Sequence, residues 1–353
     1  MRPKLVFNVS SVSFFLLHLA CLAVLLVRFS WWAVGLGVAL YLVRMFAVTA
    51  GYHRYFSHRT YKMGRVPQFL MAFLAQTSAQ KGVLWWAAHH RNHHRYSDTE
   101  QDIHSPVRKG FWWSHMGWIL VGTYDAYEAK EIADFGKYPE LRFLDRHHWL
   151  CPWALGTATW LLGVATGIGG WSMLVWGFVV STVFLYHGTF TINSLCHVWG
   201  SRRFATSDTS RNNFFLSLIT LGEGWHNNHH HYQASCAQGL CWWEIDPTYY
   251  ALKVLGWLRV VRDIRTFPAA VRMAAKARLG VAMEQVGAHM EAGLEAARQR
   301  LEEAKVRVAE AQASAAQTSA AMVADARERL AEAKERLAEA QAAFQSVAGP
   351  QIS

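Results

Sequence analysis

Histidine is the residue type whose number and spacing in this chain could do chemistry, since 18 of the 353 residues are histidines. Most of them fall in three clusters and one pair: His53-Arg-Tyr-Phe-Ser-His58, His89-His90-Arg-Asn-His93-His94, His226-Asn-Asn-His229-His230-His231 and Asn193-Ser-Leu-Cys-His197. Imidazoles at positions i, i+3 and i+4 share one face of a helix, so we expect each His-x-x-His-His run to present three nitrogens to a common point. Packing explains an isolated histidine but not two such runs, and we predict a metal site.

The donor set indicates which metal the clusters bind. Structural zinc prefers cysteine and closes at four ligands, whereas this chain has eight or more clustered histidines and only five scattered cysteines. Imidazole also suits iron and copper. A nitrogen-rich site with enough ligands for two ions is typical of a di-iron centre that activates oxygen, although soluble di-iron proteins use glutamate-rich bundles instead.

Composition places the clusters in a membrane protein. Hydrophobic residues make up 52% of the chain and charged residues 17%, against about a quarter charged in an average soluble domain. The aromatic content of 14% excludes a disordered chain, and the odd, scattered cysteines exclude a disulfide scaffold. The net charge of +10 divides into +13 for residues 1–280 and −3 for residues 281–353. Nucleic-acid binding is not expected, because the basic residues interleave with apolar segments.

Four apolar segments are long enough to cross a hydrocarbon core of about 30 Å at about 1.5 Å per residue. They are residues 6–27, 31–50, 149–171 and 173–195. Short links within each pair predict two helical hairpins, and a secretory signal peptide is not expected because the second segment follows the first at once. Basic residues concentrate in 51–148, so the positive-inside rule places that stretch, both termini and the histidine clusters in the cytoplasm. Residues 66–79 are apolar, but the segment is too short to span a bilayer, and we predict an interfacial or re-entrant helix there.

The C-terminal residues 281–353 are expected to form a helical tail separate from the membrane domain, residues 1–280. Residues 284–344 are rich in Ala, Glu, Arg, Lys and Leu and contain no proline, which predicts a long helix. The run ARQRLEEAKVRVAEAQ at 297–312 recurs as ARERLAEAKERLAEAQ at 326–341. Apolar residues seven positions apart indicate a helical hairpin or a coiled-coil oligomer. A solvated single helix without a role in chemistry is the alternative.

The histidine clusters resemble the three histidine boxes of the membrane fatty-acid desaturases. HRYFSH, HRNHH and HNNHH carry the likeness, and the surrounding GYHRYFSHRTYK, RYSDTEQDIHSP, GFWWSHMGW and GEGWHNNHHH are similar to the Δ9 acyl-CoA branch over about residues 30–265. Together with the apolar segments, this predicts an all-α membrane protein with four transmembrane helices in two hairpins. A cytoplasmic helical domain carrying a histidine-rich di-iron site caps them, and we expect a multi-pass protein of a bacterial inner membrane.

Residue by residue, the resemblance implies nine histidine ligands for two iron ions: His53, His58, His90, His93, His94, His197, His226, His229 and His230. Asn193 stands where the family uses an asparagine to approach one iron through water. His89 and His231 flank these ligands and are expected to be neighbours. Four carboxylates lie close enough in sequence to orient imidazoles as hydrogen-bond acceptors: Asp98, Glu100, Asp102 and Glu223.

Gln80, Trp86 and Thr189 fall where the resembled enzymes bend the acyl chain at the metal site. One departure from the family concerns the acyl carrier. The family often has Arg-Asp before the second box, implicated in holding the CoA moiety, whereas this chain has Ala88-His89. The carrier therefore stays open between CoA, acyl carrier protein and phospholipid.

The reaction that the resemblance implies is O2-dependent insertion of a cis double bond, at Δ9, into a saturated fatty acyl chain. Two electrons must come from outside, because the chain shows no haem-binding domain, iron–sulfur cysteine cluster or dinucleotide fingerprint. An external ferredoxin-like or cytochrome donor with a reductase is expected. Two alternatives are a histidine-box hydroxylase or ketolase acting on alkanes or isoprenoids, and a membrane metal-binding scaffold whose tail assembles partners.

Overall fold

The described residues fold mostly into helices, as the apolar segments and the tail predict. The computed structural model describes residues 9–314 and 320–347. Its α-helices are α1 (Val9–Ala20), α2 (Trp31–Phe46), α3 (Arg65–Gln76), α4 (Val83–Tyr96), α5 (Pro106–Lys109), α6 (Phe111–His115), α7 (Ala133–Gly136), α8 (Pro139–Arg146), α9 (Leu150–Ala165), α10 (Gly170–Ser172), α11 (Ser181–Asn193), α12 (Leu195–Val198), α13 (Phe214–Ile219), α14 (His226–His231), α15 (Pro247–Trp257), α16 (Ala269–Ser314) and α17 (Ala320–Val347). The 3₁₀ segments are Cys21–Leu25, Gly117–Leu120, Gly122–Tyr124 and Ala129–Ile132, and the π-helices are Ala47–Ser57 and Met173–Val180. Two short strands, β1 (Lys62–Met63) and β2 (Val261–Arg262), pair antiparallel.

Two continuous apolar helices are long enough to cross a bilayer. One is Trp31–Ser57, which runs through α2 and a π-helix, and the other is Gly170–Val198, which runs from α10 to α12. The apolar helices Ser11–Leu25 and Leu150–Ala165 are shorter. All four overlap the segments singled out in the sequence, and residues 6–8 of the first segment lie outside the described residues.

Glycines let the apolar helices approach one another closely. A Cβ at Gly37 would lie 2.6 Å from the carbonyl oxygen of Trp176, so only glycine allows α2 to contact the π-helix Met173–Val180 in this way. A Cβ at Gly163 would lie 2.5 Å from the carbonyl oxygen of Gly169, where α9 turns back into α10. The resulting bundle packs against the elements that carry the histidines.

A fully buried arginine, Arg44, joins three of these helices. Its guanidinium donates to Thr182 Oγ1 at 2.6 Å, to Ser181 Oγ at 2.5 Å and to the carbonyl oxygen of Thr77 at 3.3 Å. Arg44 lies on α2, Thr77 ends α3, and the two hydroxyls begin α11. Because a buried charge costs several kcal/mol unless its donors are satisfied, these oxygens fix where the helices meet.

The segments between and after the apolar helices complete the first unit of the chain. Helix α3 covers most of the apolar segment 66–79 and, with α4, packs on the π-helix Ala47–Ser57. The buried core there includes Tyr52. Strand β1 pairs with β2 in the register Lys62↔Arg262, which brings the end of this unit back beside the first histidine cluster.

The chain divides into two compact units between Arg272 and Met273. Helix α16 begins at Ala269, before the expected start at residue 284, because Pro268 is the last proline ahead of the Ala-rich stretch.

In α17 the partly covered side chains recur at three- and four-residue intervals: Val323, Ala326, Leu330, Ala333, Leu337, Ala340 and Phe344. That spacing is typical of a helix with a single covered stripe.

Candidate metal centre

The first pair of histidines lies where the second apolar helix widens into the π-helix Ala47–Ser57. The amide of His58 donates to the carbonyl oxygen of His53 at 3.2 Å, so the turn closes over five residues instead of the four of an α-helix. Residues five apart on an α-helix point to different sides. The wider turn brings the two imidazoles to 4.8 Å between ring centres.

The histidines of all clusters converge into two groups. The five-histidine group contains His53, His58, His90, His94 and His229, and the four-histidine group contains His93, His197, His226 and His230. Within each group, one ring nitrogen per residue lies within 4.8 Å of the others. Together they are the nine histidines that the resemblance implies as ligands.

Our expectation that each His-x-x-His-His run presents three nitrogens to one point is wrong. In α4, His90 and His94 join the five-histidine group, whereas His93 joins the four-histidine group. The reason is geometric, because adjacent residues on an α-helix point about 100° apart. The run in α14 divides in the same way, with its i, i+4 pair in one group and its middle histidine in the other.

Ring nitrogens within the groups lie at the spacing of ligands that share an ion. Nε2 of His90 is 3.0 Å from Nε2 of both His58 and His94, and Nε2 of His197 is 3.2 Å from Nε2 of His226. Two nitrogens bound at right angles, each about 2.1 Å from one ion, would lie about 3.0 Å apart. A neutral imidazole carries one N–H, so the ring nitrogens that converge in each group cannot all be paired by hydrogen bonds with one another. A cation bound between them would accept the lone pairs of several nitrogens at once.

Four carboxylates hold the outer nitrogens of four of these rings. The Nδ1 atoms lie next to them in the pairs His53–Glu223 (2.6 Å), His93–Asp102 (3.2 Å), His197–Asp98 (3.4 Å) and His230–Asp208 (2.6 Å). A neutral imidazole that donates from Nδ1 keeps a lone pair on Nε2 for a metal ion. Nε2 of His230 is buried and has no hydrogen-bond partner among the described residues. The donor set therefore fits a metal cation.

The sequence located three of these four carboxylates, namely Asp98, Asp102 and Glu223. Glu100 was a wrong expectation, because its carboxylate is exposed and pairs with Arg108 at 3.2 Å. Asp208 was missed, since it lies 22 residues from its partner in the chain and no spacing marks it. His104 was missed too, and its Nδ1 lies 3.8 Å from the carboxylate of Asp102.

Electrostatics keep most of the rings in the form that binds a cation. Burial, followed by the neighbouring histidines, lowers the pKa of His58, His90 and His94 well below the usual range, so these rings are neutral at pH 7. Burial also opposes a charge on His93, but the carboxylate of Asp102 outweighs it and raises the pKa of that ring. In return, His93 lowers the pKa of Asp102 despite burial, so the carboxylate stays ionised.

Three other expected positions lie near the groups without belonging to them. Asn193 is the half-buried last residue of α11, four residues before the histidine that follows on α12. The ring of His89 packs 4.6 Å from that of Trp85, and burial lowers its pKa to about 4. His231 stacks on Phe204 with 3.8 Å between ring centres.

Two of the residues expected to bend the acyl chain contact each other. Gln80 Nε2 donates to Thr189 Oγ1 at 3.0 Å. The backbone on both sides of Gln80 is left-handed, with φ of 58° at Ala79 and 66° at Lys81. Such a conformation costs about 1–3 kcal/mol at a residue other than glycine, and Tyr186 supports it by donating to the carbonyl of Ala79 at 3.0 Å.

The third of these residues, Trp86, lies between this segment and the histidines. Its ring stacks on that of Tyr52 at 5.3 Å and on that of His90 at 4.9 Å. The hydroxyl of Tyr52 also donates to the carbonyl of Lys81 at 2.8 Å. The strained segment, the indole and the five-histidine group are thus in one connected set of contacts.

A polar cavity of about 450 Å³ borders both histidine groups. Its lining includes His94 from one group, His230 from the other, and the side chains of Arg95 and Arg108. Gln80, Trp86 and Thr189 are not among its lining residues. A small polar molecule can therefore approach the histidines without crossing the Gln80–Thr189 contact.

Known proteins resemble this chain over most of its length. The family model described as fatty acid desaturase matches residues 29–255, which contain all nine histidines. The chain is 37% identical over 280 residues to the sn-1 stearoyl-lipid 9-desaturase of Synechocystis sp., covering 78% of this chain and 86% of the relative. It is 36% identical over 265 residues to the Delta-9 acyl-lipid desaturase 2 of Arabidopsis thaliana, covering 74% of this chain and 83% of that relative. It is 34% identical over 277 residues to the icosanoyl-CoA 5-desaturase of Limnanthes douglasii, covering 76% of this chain and 75% of that relative.

These matches confirm the resemblance drawn from the three histidine boxes. The chain belongs to the fatty acid desaturase family, whose members are membrane-associated oxidoreductases acting on fatty acyl chains.

Proposed function

We propose that this chain is a di-iron desaturase that uses O2 to introduce a cis double bond, at Δ9, into a fatty acyl chain. The observation that carries the proposal is the convergence of nine imidazoles into two groups beside the Gln80–Thr189 contact, in a chain of the desaturase family. The Δ9 position rests on two relatives whose names specify position 9, whereas the Limnanthes relative is named for position 5.

The nine histidines would hold two iron ions, one in each group, with Asn193 completing the four-histidine group through water. When bound, the ions supply the oxygen chemistry that removes hydrogen from unactivated methylenes. The carboxylates of Asp98, Asp102, Asp208 and Glu223 orient the imidazoles and raise their basicity. Burial keeps the rings of His58, His90 and His94 unprotonated.

Gln80, Trp86 and Thr189 would hold the acyl chain bent beside the two groups. Their contacts form without substrate, because the bonds that Tyr186 and Tyr52 donate to the carbonyls of Ala79 and Lys81 hold the strained left-handed backbone around Gln80 in place. A fixed bend places a single pair of methylenes near the histidines, which contributes to rate through positioning and sets the position of the double bond.

The acyl carrier that best suits this surface is a lipid. CoA carries several phosphate charges and calls for free cations near the second box. Ala88 offers a methyl group there, and the lowered pKa of His89 leaves its imidazole neutral. Lys81 is already paired with Asp125. Two of the relatives described above are named as lipid desaturases, which supports the same choice.

We further propose that the four apolar helices all span the membrane, with the histidine groups and both termini on the cytoplasmic side. Large apolar side chains cover the outer surface of the first hairpin: Leu25 is 81% exposed and Leu26 88%, and Trp31 and Trp32 are exposed beside them. Such a surface is stable in hydrocarbon, with tryptophans at the interface. The tail, residues 281–353, would be an accessory hairpin or coiled coil that joins copies of the chain.

Electrons would come from a separate ferredoxin-like or cytochrome donor with its reductase. The requirement follows from the reaction, because desaturation takes two electrons from the acyl chain and four are needed to reduce O2 to water.

The test is gas chromatography of fatty acids from a desaturase-deficient host that expresses the wild type, His93→Ala or His289→Ala. His289 is an exposed tail histidine and serves as the matched control. We expect new cis-9 monounsaturated acids with the wild type and with His289→Ala, and none with His93→Ala. An alcohol or ketone in place of the double bond would instead establish the hydroxylase or ketolase alternative.

A further inference from the structure

Carboxylates are divided unequally between the two histidine groups. Three of the four rings in the four-histidine group have a carboxylate beside Nδ1, in the pairs His93–Asp102, His197–Asp98 and His230–Asp208. In the five-histidine group one ring, that of His53, has such a partner, Glu223. Among the described residues, no carboxylate is paired with the other four rings of that group. The negative charge behind the rings is therefore concentrated at the four-histidine group.

The three carboxylates of the four-histidine group have neutral hydrogen-bond donors around them. Asp98 accepts from the amide and the hydroxyl of Thr209, and Asp208 accepts from the amide and the hydroxyl of Ser210. Asp102 accepts from two backbone amides. In residues 9–314 and 320–347, no lysine or arginine forms an ion pair with any of the three. Three negative charges without a permanent cationic partner therefore lie behind this group.

Glu223, by contrast, is paired with a buried arginine. Arg54 is 1% exposed, and its Nε donates to Glu223 Oε1 at 3.0 Å. The same guanidinium donates from Nη1 to Asp246 Oδ2 at 3.0 Å. The other oxygen of Glu223, which lies 2.6 Å from Nδ1 of His53, also accepts from Gln238 Nε2 at 2.5 Å. The arginine and the amide thus offset the charge of the one carboxylate that reaches the five-histidine group.

The cluster of Arg54, Glu223 and Asp246 carries one net negative charge, spread over its two carboxylates. Asp246 lies at the start of α15, where it accepts from the amide of Tyr249 at 3.0 Å, and among the described residues it is paired with no histidine. Part of one negative charge therefore acts on His53, whereas three charges act on the four-histidine group.

This difference acts more strongly on a ferric ion than on a ferrous ion, because the Coulomb energy is proportional to the charge on the ion. The fifth imidazole adds a neutral donor, which stabilises ions of either charge and offsets the missing carboxylates for a ferrous ion. Net charge and hydrogen bonds around the ligands are means by which a protein sets the reduction potential of bound iron. The two groups therefore differ in the oxidation state that each stabilises.

We propose that the four-histidine group holds the iron ion of lower reduction potential and that Arg54, acting through Glu223, keeps the five-histidine group at the higher potential. The inference rests on the proposed di-iron function and makes Arg54 a positioning residue. The external donor supplies two electrons, and each converts one ferric ion to a ferrous ion while the donor is oxidised by one electron. The first electron resides at the five-histidine group, and the four-histidine group is reduced second.

The test uses a matched pair of substitutions, Asp208→Asn and Glu223→Gln. In each, a carboxylate 2.6 Å from Nδ1 becomes a neutral amide that can keep its oxygen in the same place. Mössbauer spectroscopy of protein saturated with iron and poised at a series of potentials counts the ferric and ferrous ions. We expect two separate one-electron steps in the wild type. Asp208→Asn should raise the potential of the second step by about 59 mV, for an about tenfold weaker preference for ferric iron, and Glu223→Gln should raise that of the first step by less.

A third variant tests the part played by Arg54. Arg54→Gln combined with Asp246→Asn removes one charge of each sign, so the net charge of the cluster is unchanged but lies entirely on Glu223. The potential of the first step should then fall toward that of the second, at unchanged iron content. A purely structural role for Arg54 would instead lower the iron content without bringing the two steps together. If either this variant or Asp208→Asn cannot be saturated with iron, the other decides the question.

A single reduction step in the wild type would overturn the proposal, as would equal shifts in the two matched variants. A shift of the first step in Asp208→Asn would also overturn it, because the four-histidine group would then have the higher potential. Two steps with the expected shifts, in a chain that yields no new monounsaturated acid, would contradict the desaturase function alone. Desaturation by a chain with a single reduction step would contradict this inference alone.

Discussion

Replacing Asp208 by asparagine should weaken iron binding at one histidine group and leave the other unchanged. The carboxylate of Asp208 lies 2.6 Å from Nδ1 of His230 and also accepts from the amide and hydroxyl of Ser210 and from Thr206 Oγ1. His230 belongs to the four-histidine group. In Asp208→Asn the ring keeps an acceptor of the same shape but loses the negative charge that raises its basicity.

The magnitude follows from the type of hydrogen bond that is lost. A bond to a charged acceptor is worth about 1.5–3 kcal/mol and one between neutral groups about 0.5–1.5 kcal/mol, so the change removes about 1–2 kcal/mol of ion affinity. At 1.4 kcal/mol per factor of ten, the affinity of the four-histidine group falls about 5- to 30-fold. Residues that hold metal ligands in place commonly show effects of about 10- to 100-fold.

The assay is iron titration of purified protein against a competing chelator, with iron per chain read at each free-iron concentration. In the wild type, both groups should fill with iron over the same range of free-iron concentration. At concentrations where the wild type holds two ions per chain, Asp208→Asn should hold one. Glu100→Gln is the matched control, since that carboxylate is exposed and contacts no histidine in the described residues. An equal loss at both groups, or no loss at all, would refute the reasoning.

Three further predictions test other parts of the molecule. Thr189→Val removes the acceptor for Gln80 and so a hydrogen bond worth about 1 kcal/mol. Gas chromatography should then show a mixture of double-bond positions at unchanged iron content. A single, unchanged double-bond position would contradict the role of this contact. In metal-free protein, the free energy of unfolding should fall as the pH drops below about 6.5. The pKa values of His58 and His90 are lowered in the folded protein, so the unfolded chain binds protons at a higher pH than the folded chain does. Thermal melts at about pH 7.5 and pH 5.5 measure this, and equal melting midpoints would contradict it. Deleting residues 284–353 should leave desaturation intact, because all nine histidines precede Arg272; the same chromatographic assay checks it, and loss of product from an iron-loaded truncation would assign the tail a catalytic part.

Local patterns predicted the helices well because long apolar runs and Ala-rich stretches decide their own conformation. The described parts of the four apolar segments and of the tail are largely helical, as expected. The π-helix Ala47–Ser57 was not foreseen, since a widened turn depends on the contacts around it rather than on the spacing of its residues. The start of α16 at Ala269 was missed, although Pro268, the last proline before the Ala-rich stretch, marks it in the sequence.

The site was predictable in its members but not in their arrangement. Histidine is rarely repeated at short spacing by chance, so the nine rings stand out in the sequence. Their division into two groups depends on which sides of α4 and α14 are turned toward each other. These helices lie more than a hundred residues apart in the chain, so local sequence patterns do not reveal their relative orientation. Asp208 escaped notice for the same reason, since only the folded chain brings it to His230. Glu100 shows the converse, because closeness in sequence to the second box did not place its side chain toward the histidines.

The division of each His-x-x-His-His run has a consequence for anyone who would redesign this centre. Helices α4 and α14 each supply a pair of rings to one group and a single ring to the other, in opposite order. The two groups are therefore not separable modules: shifting or grafting either helix disturbs both at once. The carboxylates behind the rings are the independent controls, because each reaches a single ring of the two groups. They are the positions where one group can be tuned while its neighbour stays as it is.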